Sequence, residues 1–227
     1  MSLKLLLALL IGTVLMFGVM LLCRIRIKMS VSKTLLFSVL LMVTGLLSTK
    51  IMAFIESGSI KGQSFFGAVF FLPLLLLPVA KLIREDRRTV LDLSAPAVCA
   101  MLAVMKVSCY LSGCCAGKIL YTYYKQNDNT LYTCRFPSQL VELANAVFLL
   151  LILLLLLSNS KRAGALYPAF MVLYGVTRFI LNLFRETTPF LFGLPAGNFW
   201  SIISVVIGAV WLILWSRAVK KQRIFGG

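Results

Sequence analysis

Seven long apolar segments are the feature that most constrains this chain. They lie at about 5–23, 34–55, 65–83, 93–112, 138–157, 164–184 and 197–215. The hydrocarbon core of a bilayer is about 30 Å thick, and a helix that rises about 1.5 Å per residue needs about 20 apolar residues to cross it. The segments show no two-residue alternation of polar and apolar side chains. The sequence therefore predicts an all-α polytopic membrane bundle of about seven transmembrane helices.

The composition agrees with a membrane protein and sets limits on its partners. Hydrophobic residues make up 60% of the chain and charged residues only 13%, against about 25% charged residues in average proteins. A formal net charge of +16 would suggest nucleic acid in a soluble protein. Here the charges lie in short connections beside apolar segments, where anionic lipid headgroups are the natural counter-ions. We predict a single transmembrane domain over residues 1–227, with the membrane and not nucleic acid as its partner.

The basic residues divide unevenly between the two sides of the predicted bundle. One side holds Arg24, Arg26, Lys28, Lys33, Lys81, Arg84, Arg87, Arg88, Lys161, Arg162, Arg217, Lys220, Lys221 and Arg223. The other side holds Lys4, Lys50, Lys61, Lys118, Lys125, Arg135 and Arg185. Cytoplasmic loops carry the excess of Lys and Arg. The sequence therefore predicts an outer N-terminus, a cytoplasmic C-terminus and an outer loop at about 113–137.

The tyrosines of that outer loop have two readings. Tyr121, Tyr123, Tyr124 and Tyr132 all lie within it. Tyrosine is enriched at membrane–water interfaces, so these residues can form an interfacial aromatic belt. A lid that faces the substrate is the alternative.

Three ionisable residues fall inside apolar segments. Lys106 lies in the fourth segment, Glu142 in the fifth and Arg178 in the sixth. With the predicted orientation, all three lie at a similar depth in the outer half of the bilayer. Charged side chains are costly in the bilayer and normally face a protein interior or a polar cavity. The three helices are therefore expected to bring these side chains to one site.

The neighbours of these charges suit an anionic ligand. Tyr174, Arg178 and Asn182 are spaced four residues apart and share one helix face. Two cations in an apolar surrounding suit an anion, and the phosphate of a lipid headgroup is the obvious one. The alternative is that Glu142 pairs with Lys106 or Arg178 to neutralise the bundle, which leaves the other cation without an acidic partner.

Five of the six cysteines fall into two groups, and the sixth, Cys109, lies in the fourth segment three residues after Lys106. Cys23 and Cys99 lie in apolar runs and are expected to be packing residues. Cys114 and Cys115 follow the fourth segment and Cys134 lies late in the outer loop, so a disulfide from Cys134 to either one is possible. The chain has no histidine, and an adjacent cysteine pair is not a metal-ligand motif. The sequence therefore predicts no metal site and no cofactor.

Four ordered blocks resemble the prolipoprotein diacylglyceryl transferase family. They are Ser-Phe-Phe-Gly at 64–67, the segment from Lys106 to Lys118 with Gly-Cys-Cys-Ala-Gly at 113–117, Pro-Ser-Gln-Leu-Val-Glu at 137–142, and the segment from Tyr174 to Arg185. The last block is similar to the family pattern Tyr-Gly-x-x-Arg-x-x-x-Glu-x-x-Arg. The chain looks like a divergent, short member of this family, whose members have seven helices and an outer N-terminus.

The resemblance implies an activity and a set of residues. It implies transfer of diacylglyceryl from phosphatidylglycerol, or from another anionic phospholipid, to the cysteine of a lipoprotein precursor signal peptide at the bacterial cell membrane. The implied catalytic residues are Arg178, Lys106 and Glu142. The implied substrate-binding residues are Tyr174, Gly117, Gln139 and Asn182.

The sequence departs from the family pattern at three positions. Lys106 stands where the family has an arginine, Phe66 where it has a histidine, and Asn182 where it has an acid. Glu142 could replace the missing base, or the substrate thiol could ionise beside the cations. A non-catalytic or divergent lipid-binding membrane protein on the same scaffold is the alternative function. A transporter or channel is a third, which the few polar groups in the inner halves of the segments disfavour.

Overall fold

The computed structural model describes residues 3–27, 29–59, 62–124, 131–159, 163–185 and 190–225. Within these ranges the helices are α1 (Leu3–Ile27), α2 (Val31–Ser57), α3 (Phe66–Phe70), α4 (Leu72–Ile83), α5 (Arg87–Leu111), α6 (Ser138–Asn159), α7 (Leu166–Asn182) and α8 (Ala196–Phe225). The strands are β1 (Ile119–Tyr124), β2 (Leu131–Arg135), β3 (Phe190–Leu191) and β4 (Leu194–Pro195). Five of the counted basic residues, Lys28, Lys61, Lys125, Lys161 and Arg162, lie outside the described residues.

The helices identify a multi-pass, all-α membrane protein. Helical structure occupies all seven predicted apolar segments. Among the described residues, four helices are long and apolar enough to cross a membrane, namely α2, α5, α6 and the Ala196–Lys220 part of α8. Shorter apolar helical stretches lie at Leu10–Arg24 and Leu72–Ile83. The number of seven spans and the orientation of the termini stay predictions.

The third apolar segment was expected to form one continuous helix, but it does not. It divides at Phe71 into α3 and α4. Pro73, in the first turn of α4, has no N–H to donate to the carbonyl group four residues earlier, that of Val69. The Tyr167 hydroxyl supplies a replacement: it donates to the Ala68 carbonyl oxygen at 2.6 Å and lies 3.2 Å from that of Val69. A buried tyrosine of α7 thus satisfies the broken helix.

Helix α5 is the centre of the bundle. It is the most buried of the four candidate spans, and it packs against α1, α4, α6 and α7. The outer faces of α1, α2, α6 and α8 carry exposed leucine, isoleucine and valine side chains. In a soluble protein such a surface would be an aggregation hazard, whereas in a bilayer it is the surface that faces lipid.

A buried acid that the sequence analysis did not single out fixes the start of α7. The Asp92 carboxylate of α5 accepts hydrogen bonds from the backbone N–H groups of Gly164, Leu166 and Tyr167 at 2.6, 2.9 and 3.3 Å. These are groups that a helix start leaves without partners. Asp92 therefore ties α5 to α7.

A cavity of about 310 Å³, lined in part by Arg88 and Gly164, lies at this end of α5, far from Lys106.

Two short hairpins, which the sequence analysis did not predict, lie in the connections. In the loop after α5, β1 pairs with β2 in antiparallel register, with Tyr123 opposite Tyr132. The rings of these two tyrosines stack with centroids 5.7 Å apart. The second hairpin, β3–β4, leads into α8. The choice between an aromatic belt and a lid for the loop tyrosines stays open.

The contact between Tyr167 and the α3–α4 break predicts a loss of stability in Tyr167→Phe. The variant keeps the ring but leaves buried carbonyl oxygens without a donor, which costs about 1–3 kcal/mol. Thermal unfolding in detergent should show a clearly lower midpoint for Tyr167→Phe than for the wild type. Tyr123→Phe removes the same hydroxyl from an exposed side chain and should leave the midpoint unchanged. Equal midpoints for all three proteins would contradict this role of Tyr167.

Candidate functional site

A single buried carboxylate, that of Glu142, contacts three cations. Its Oε2 forms an ion pair with Lys106 Nζ and lies 2.8 Å from Arg178 Nη1. Its Oε1 lies 2.6 Å from Arg185 Nη1. The Glu142 side chain is 4% exposed, and the three cationic side chains are 14–17% exposed. Both carboxylate oxygens are thus used, and the four charges form one cluster.

Four parts of the chain build this cluster, which we call the Glu142 cluster. Lys106 lies near the end of α5, Glu142 in the second turn of α6 and Arg178 near the end of α7. Arg185 follows α7 and is held by an antiparallel bridge to Gly117. Residues far apart in sequence therefore depend on one another for charge balance.

Gly117 makes the approach of Arg185 possible. Its N–H donates to the Phe136 carbonyl oxygen at 3.0 Å. A Cβ atom at this position would lie 2.7 Å from that oxygen and 2.9 Å from the Phe184 carbonyl oxygen, closer than packed carbon and oxygen atoms approach. Only glycine fits between these two chain segments. The contact that the structure gives Gly117, predicted to bind substrate, is therefore with the backbone.

The structure brings together the three charges that the sequence analysis selected. The expectation that one cation would lack an acidic partner is wrong, because Lys106 and Arg178 share one oxygen of Glu142. Arg185 was counted as a loop charge and as the last residue of the fourth family block, but it was not named as a site residue. The available signal was its spacing of seven residues from Arg178, which is two helical turns on the same face.

The Glu142 cluster has more positive than negative charge. Among the described residues, three cations pair with the Glu142 carboxylate, which gives these four groups a formal excess of two positive charges in a largely buried place. Burying unbalanced charge is costly, so such a site is expected to take up an anion. Arginine can offer two parallel N–H groups to a phosphate, and lysine acts as a point charge.

Buried polar groups without a hydrogen-bond partner lie at the end of α7 and the start of α8. Within the described part of the chain, Arg178 Nε and both side-chain amide atoms of Asn182 are buried without a hydrogen-bond partner. The same holds for Asn198 Oδ1 and Trp200 Nε1 at the start of α8. The Asn182 amide packs on the backbone of Gly197. Buried polar groups normally have partners, so these atoms are available to a ligand with hydroxyl groups. Asn198 and Trp200 were not predicted.

An aromatic wall closes the site below Arg178. The Tyr174 side chain is 3% exposed, and its ring lies 4.9 Å from that of Phe65 and 5.7 Å from that of Phe66, between centroids. This wall keeps water from the inner side of the cluster and strengthens its electrostatic interactions.

A second acid that the sequence analysis missed, Glu56, hydrogen-bonds to Ser64 and interacts with Arg178.

Three cysteines meet at the end of α5. Positive φ angles of 66° at Gly113 and 61° at Cys115 turn the chain back over the last turn of the helix. As a result, the sulfur atoms of Cys109, Cys114 and Cys115 all lie within 4.8 Å of one another. Gln139, predicted to bind substrate, donates to the Cys114 carbonyl oxygen at 2.6 Å. We call these three residues the thiol cluster.

The thiol cluster is electrostatically tied to the Glu142 cluster. The hydrogen bond with the Cys109 thiol lowers the pKa of the Cys115 thiol, and the positive charges of Lys106 and Arg185 act in the same direction, while burial opposes them. Cys115 is exposed. An exposed thiol with a lowered pKa reacts readily as the thiolate.

The suggested disulfide from Cys134 to Cys114 or Cys115 is not present, because all six cysteines are free. Cys134 lies on β2 opposite Tyr121 and hydrogen-bonds to its side chain. Cys114 and Cys115 are instead folded onto the end of α5. Cys23 and Cys99 are buried among apolar side chains, which confirms their expected role in packing.

Comparison with known proteins places this site in a family. The sequence model described as prolipoprotein diacylglyceryl transferase matches residues 8–215. The chain belongs to the prolipoprotein diacylglyceryl transferase family. The match includes the whole of α5, α6 and α7 and therefore every charge of the Glu142 cluster.

Relatives named phosphatidylglycerol–prolipoprotein diacylglyceryl transferase agree with the family match. The protein of Verminephrobacter eiseniae is 28% identical over 171 residues, which are 71% of this chain and 60% of that protein. The protein of Paracidovorax citrulli is 29% identical over 167 residues, or 69% of this chain and 61% of its own length. That of Nitrobacter winogradskyi is 40% identical over 96 residues, or 39% and 33%. The chain thus spans less than two thirds of these relatives.

The structure shows the surroundings of the three residues at which this diacylglyceryl transferase family member differs from the family pattern. Lys106 keeps a cation on Glu142 where the resemblance places an arginine. Phe66, in place of a histidine, packs edge-on against Tyr174 with an interplanar angle of 68°. Asn182, in place of an acid, adds no negative charge beside Arg178.

The shared carboxylate predicts that Glu142→Gln destabilises the protein. The variant leaves three half-buried cations without their acid, and removing one partner of a buried pair costs about 3–5 kcal/mol. The free energy of unfolding, measured in mixed micelles, should fall by about that amount. Glu85→Gln makes the same chemical change in the more exposed ion pair with Lys33, where the expected loss is below about 1 kcal/mol. Equal losses in the two variants would show that Glu142 does not hold the cluster together.

Proposed function

We propose that this protein transfers the diacylglyceryl group of phosphatidylglycerol to a cysteine thiol of a prolipoprotein. The observation that carries the proposal is the excess of positive charge on the Glu142 cluster, in a chain that belongs to this family. The named relatives act on phosphatidylglycerol and prolipoprotein by their names. The same chemistry fits the residues present here.

The phosphate of the lipid headgroup would bind at the cations. Arg178 is the main ligand, because its Nε is free while its Nη1 is engaged with Glu142. Lys106 and Arg185 complete the positive surrounding. The glycerol hydroxyls of the headgroup would reach Asn182 and Asn198, whose buried amide atoms have no partner among the described residues. Glu142 positions the three cations.

The reaction is a displacement at a glyceryl carbon. The acceptor sulfur forms a bond to the glyceryl carbon that bears the phosphate, and the carbon–oxygen bond to phosphate breaks. Glycerol phosphate leaves with the electron pair, and the proton of the acceptor thiol passes to water. Negative charge increases on the departing phosphate, so cations held in place before the reaction stabilise the transition state more than the substrate.

The acceptor thiol needs a way to lose its proton in a protein without histidine. Glu142 is a poor base, because its two oxygens already contact three cations. Positive charge close to a thiol favours the thiolate instead. The net charge of the cluster therefore serves both partners, the phosphate and the attacking sulfur.

Phe66 favours a second candidate function. It is buried at the position where the resemblance places a histidine, and it offers no base. A family member without turnover would bind phosphatidylglycerol at the same cations as a lipid-binding protein. Such a protein would retain the lipid and release no glycerol phosphate.

We further propose that the N-terminus is outside, the C-terminus is in the cytoplasm and the membrane is the bacterial cell membrane. The Glu142 cluster then lies in the outer leaflet. The distribution of Lys and Arg supports this orientation.

The phosphate assignment predicts the effect of Arg178→Ala. With a lipobox peptide and phosphatidylglycerol, the variant should release glycerol phosphate about 100-fold more slowly than the wild type, or slower, because a preorganised donor to the leaving group is lost. Arg178→Lys should retain part of the rate, since it keeps the charge. Arg217→Ala removes an exposed arginine of α8 and should leave the rate unchanged. A wild-type rate in Arg178→Ala would refute the assignment, and no release by the wild type would favour the lipid-binding alternative.

The proposed orientation predicts the behaviour of a reporter at the C-terminus. Alkaline phosphatase fused after residue 227 should be inactive in cells, because it folds only outside the cytoplasm, whereas a fusion within the loop at 113–137 should be active. The reverse pattern would mean that the Glu142 cluster faces the cytoplasm.

A further inference from the structure

We propose that Cys109, Cys114 and Cys115 bind a zinc ion through three thiolates and leave its fourth coordination position open. In the sequence, Cys114 and Cys115 look like an isolated pair, and for this reason no metal site was predicted. The reversal of the chain at 113–115 adds Cys109 as a third ligand. Thiolate sulfur is a preferred ligand of zinc, and three protein ligands with one open position are typical of catalytic zinc sites.

The distances in the thiol cluster fit such a site. The three sulfur atoms lie within 4.8 Å of one another. With zinc–sulfur bonds of about 2.3 Å, tetrahedral coordination places the sulfur atoms about 3.8 Å apart. Closing the cluster thus requires movements of about 1 Å or less, which side-chain rotation supplies.

The backbone that presents the sulfur atoms is fixed by neighbouring groups. The Cys114 N–H donates to the Cys109 carbonyl oxygen at 3.1 Å. Gln139 Nε2 and Ser138 Oγ each donate at 2.6 Å, to the carbonyl oxygens of Cys114 and Cys115 respectively. Cys115 has a φ of 61°, a value that residues other than glycine seldom adopt. A strained backbone conformation held by three hydrogen bonds is expected where side chains must point to one place.

The charge around the thiol cluster also fits. Three thiolates and one Zn²⁺ carry a net charge of −1. Lys106 lies one helical turn before Cys109, and the Glu142 cluster has an excess of two positive charges. One zinc–thiolate complex and one phosphate monoanion together balance that excess. Cys114 and Cys115 are exposed, so an ion can enter from the loop side.

The open position suggests what the metal does, and this step rests on the proposed function. The acceptor thiol would bind zinc and release its proton to water, because a thiol that coordinates zinc is deprotonated. The bound sulfur would then form the bond to the glyceryl carbon as glycerol phosphate leaves. The neutral thioether product is a weaker ligand and would dissociate. This supplies the thiolate that a chain without histidine otherwise lacks a base to make.

The test of the site is a Cd²⁺ titration of the full-length protein in detergent, reduced with a phosphine that does not bind the metal. Cadmium–thiolate bonds absorb in the ultraviolet, and wild type should show this band saturating at about one equivalent. Cys109→Ser, Cys114→Ser and Cys115→Ser should each weaken Cd²⁺ binding by about ten-fold or more, since even groups behind the ligands matter to that extent. Cys134→Ser is the matched control and should bind as the wild type does. Wild-type affinity in all four variants, or no band in the wild type, would overturn the proposal.

Zinc itself and the acceptor role are tested separately. Zn²⁺ should displace Cd²⁺ and abolish the band, with one zinc per chain by elemental analysis. The free thiol of a lipobox peptide should increase the absorbance of the Cd²⁺-loaded protein, whereas the same peptide with serine should not. Binding of the metal without a peptide effect would refute the acceptor role and retain the site. Because these readouts need no turnover, they are independent of whether the protein transfers diacylglyceryl.

Discussion

The contact of one carboxylate with three cations is the interaction on which the rest of the structure depends. Glu142 joins the end of α5, the start of α6, the end of α7 and the segment after α7. Each cation can stay largely out of bulk water because the Glu142 carboxylate compensates its positive charge. The glycine at 117 and the hydrogen bonds between 117–118, 136 and 184 bring the last of these segments close enough. Local backbone geometry and long-range charge balance thus support one another.

The same interaction explains why a membrane protein keeps unbalanced charge. Full neutralisation of the Glu142 cluster would need more acids, and the position where the resemblance places one holds Asn182. A buried excess of charge destabilises the protein alone but raises the affinity for an anion that completes it. Stability is therefore lower where binding is strongest, as is common for functional sites. The aromatic side chains around Tyr174 strengthen this effect by excluding water.

The sequence predicted the three charged residues because ionisable side chains are conspicuous within apolar segments. The helices followed from segment length alone. Arg185 was not predicted as part of the site: although it ends the fourth family block, it lies just past its segment and was counted as a loop charge. The break at Phe71 was missed because the apolar pattern continues through it, and only the contact with Tyr167 makes it tolerable. The thiol cluster depends on Cys115, a residue other than glycine that adopts a left-handed backbone conformation. No sequence pattern indicates this conformation.

The central claim is that the Glu142 cluster binds the phosphate of an anionic lipid. Native mass spectrometry of the purified protein, exchanged into micelles with equal amounts of phosphatidylglycerol and phosphatidylethanolamine, tests it most directly. We expect the protein to retain one phosphatidylglycerol in preference to the zwitterionic lipid, and we expect this preference to disappear in the double variant Arg178→Ala, Arg185→Ala. Equal retention of the two lipids by the wild type, or an unchanged preference in the double variant, would contradict it.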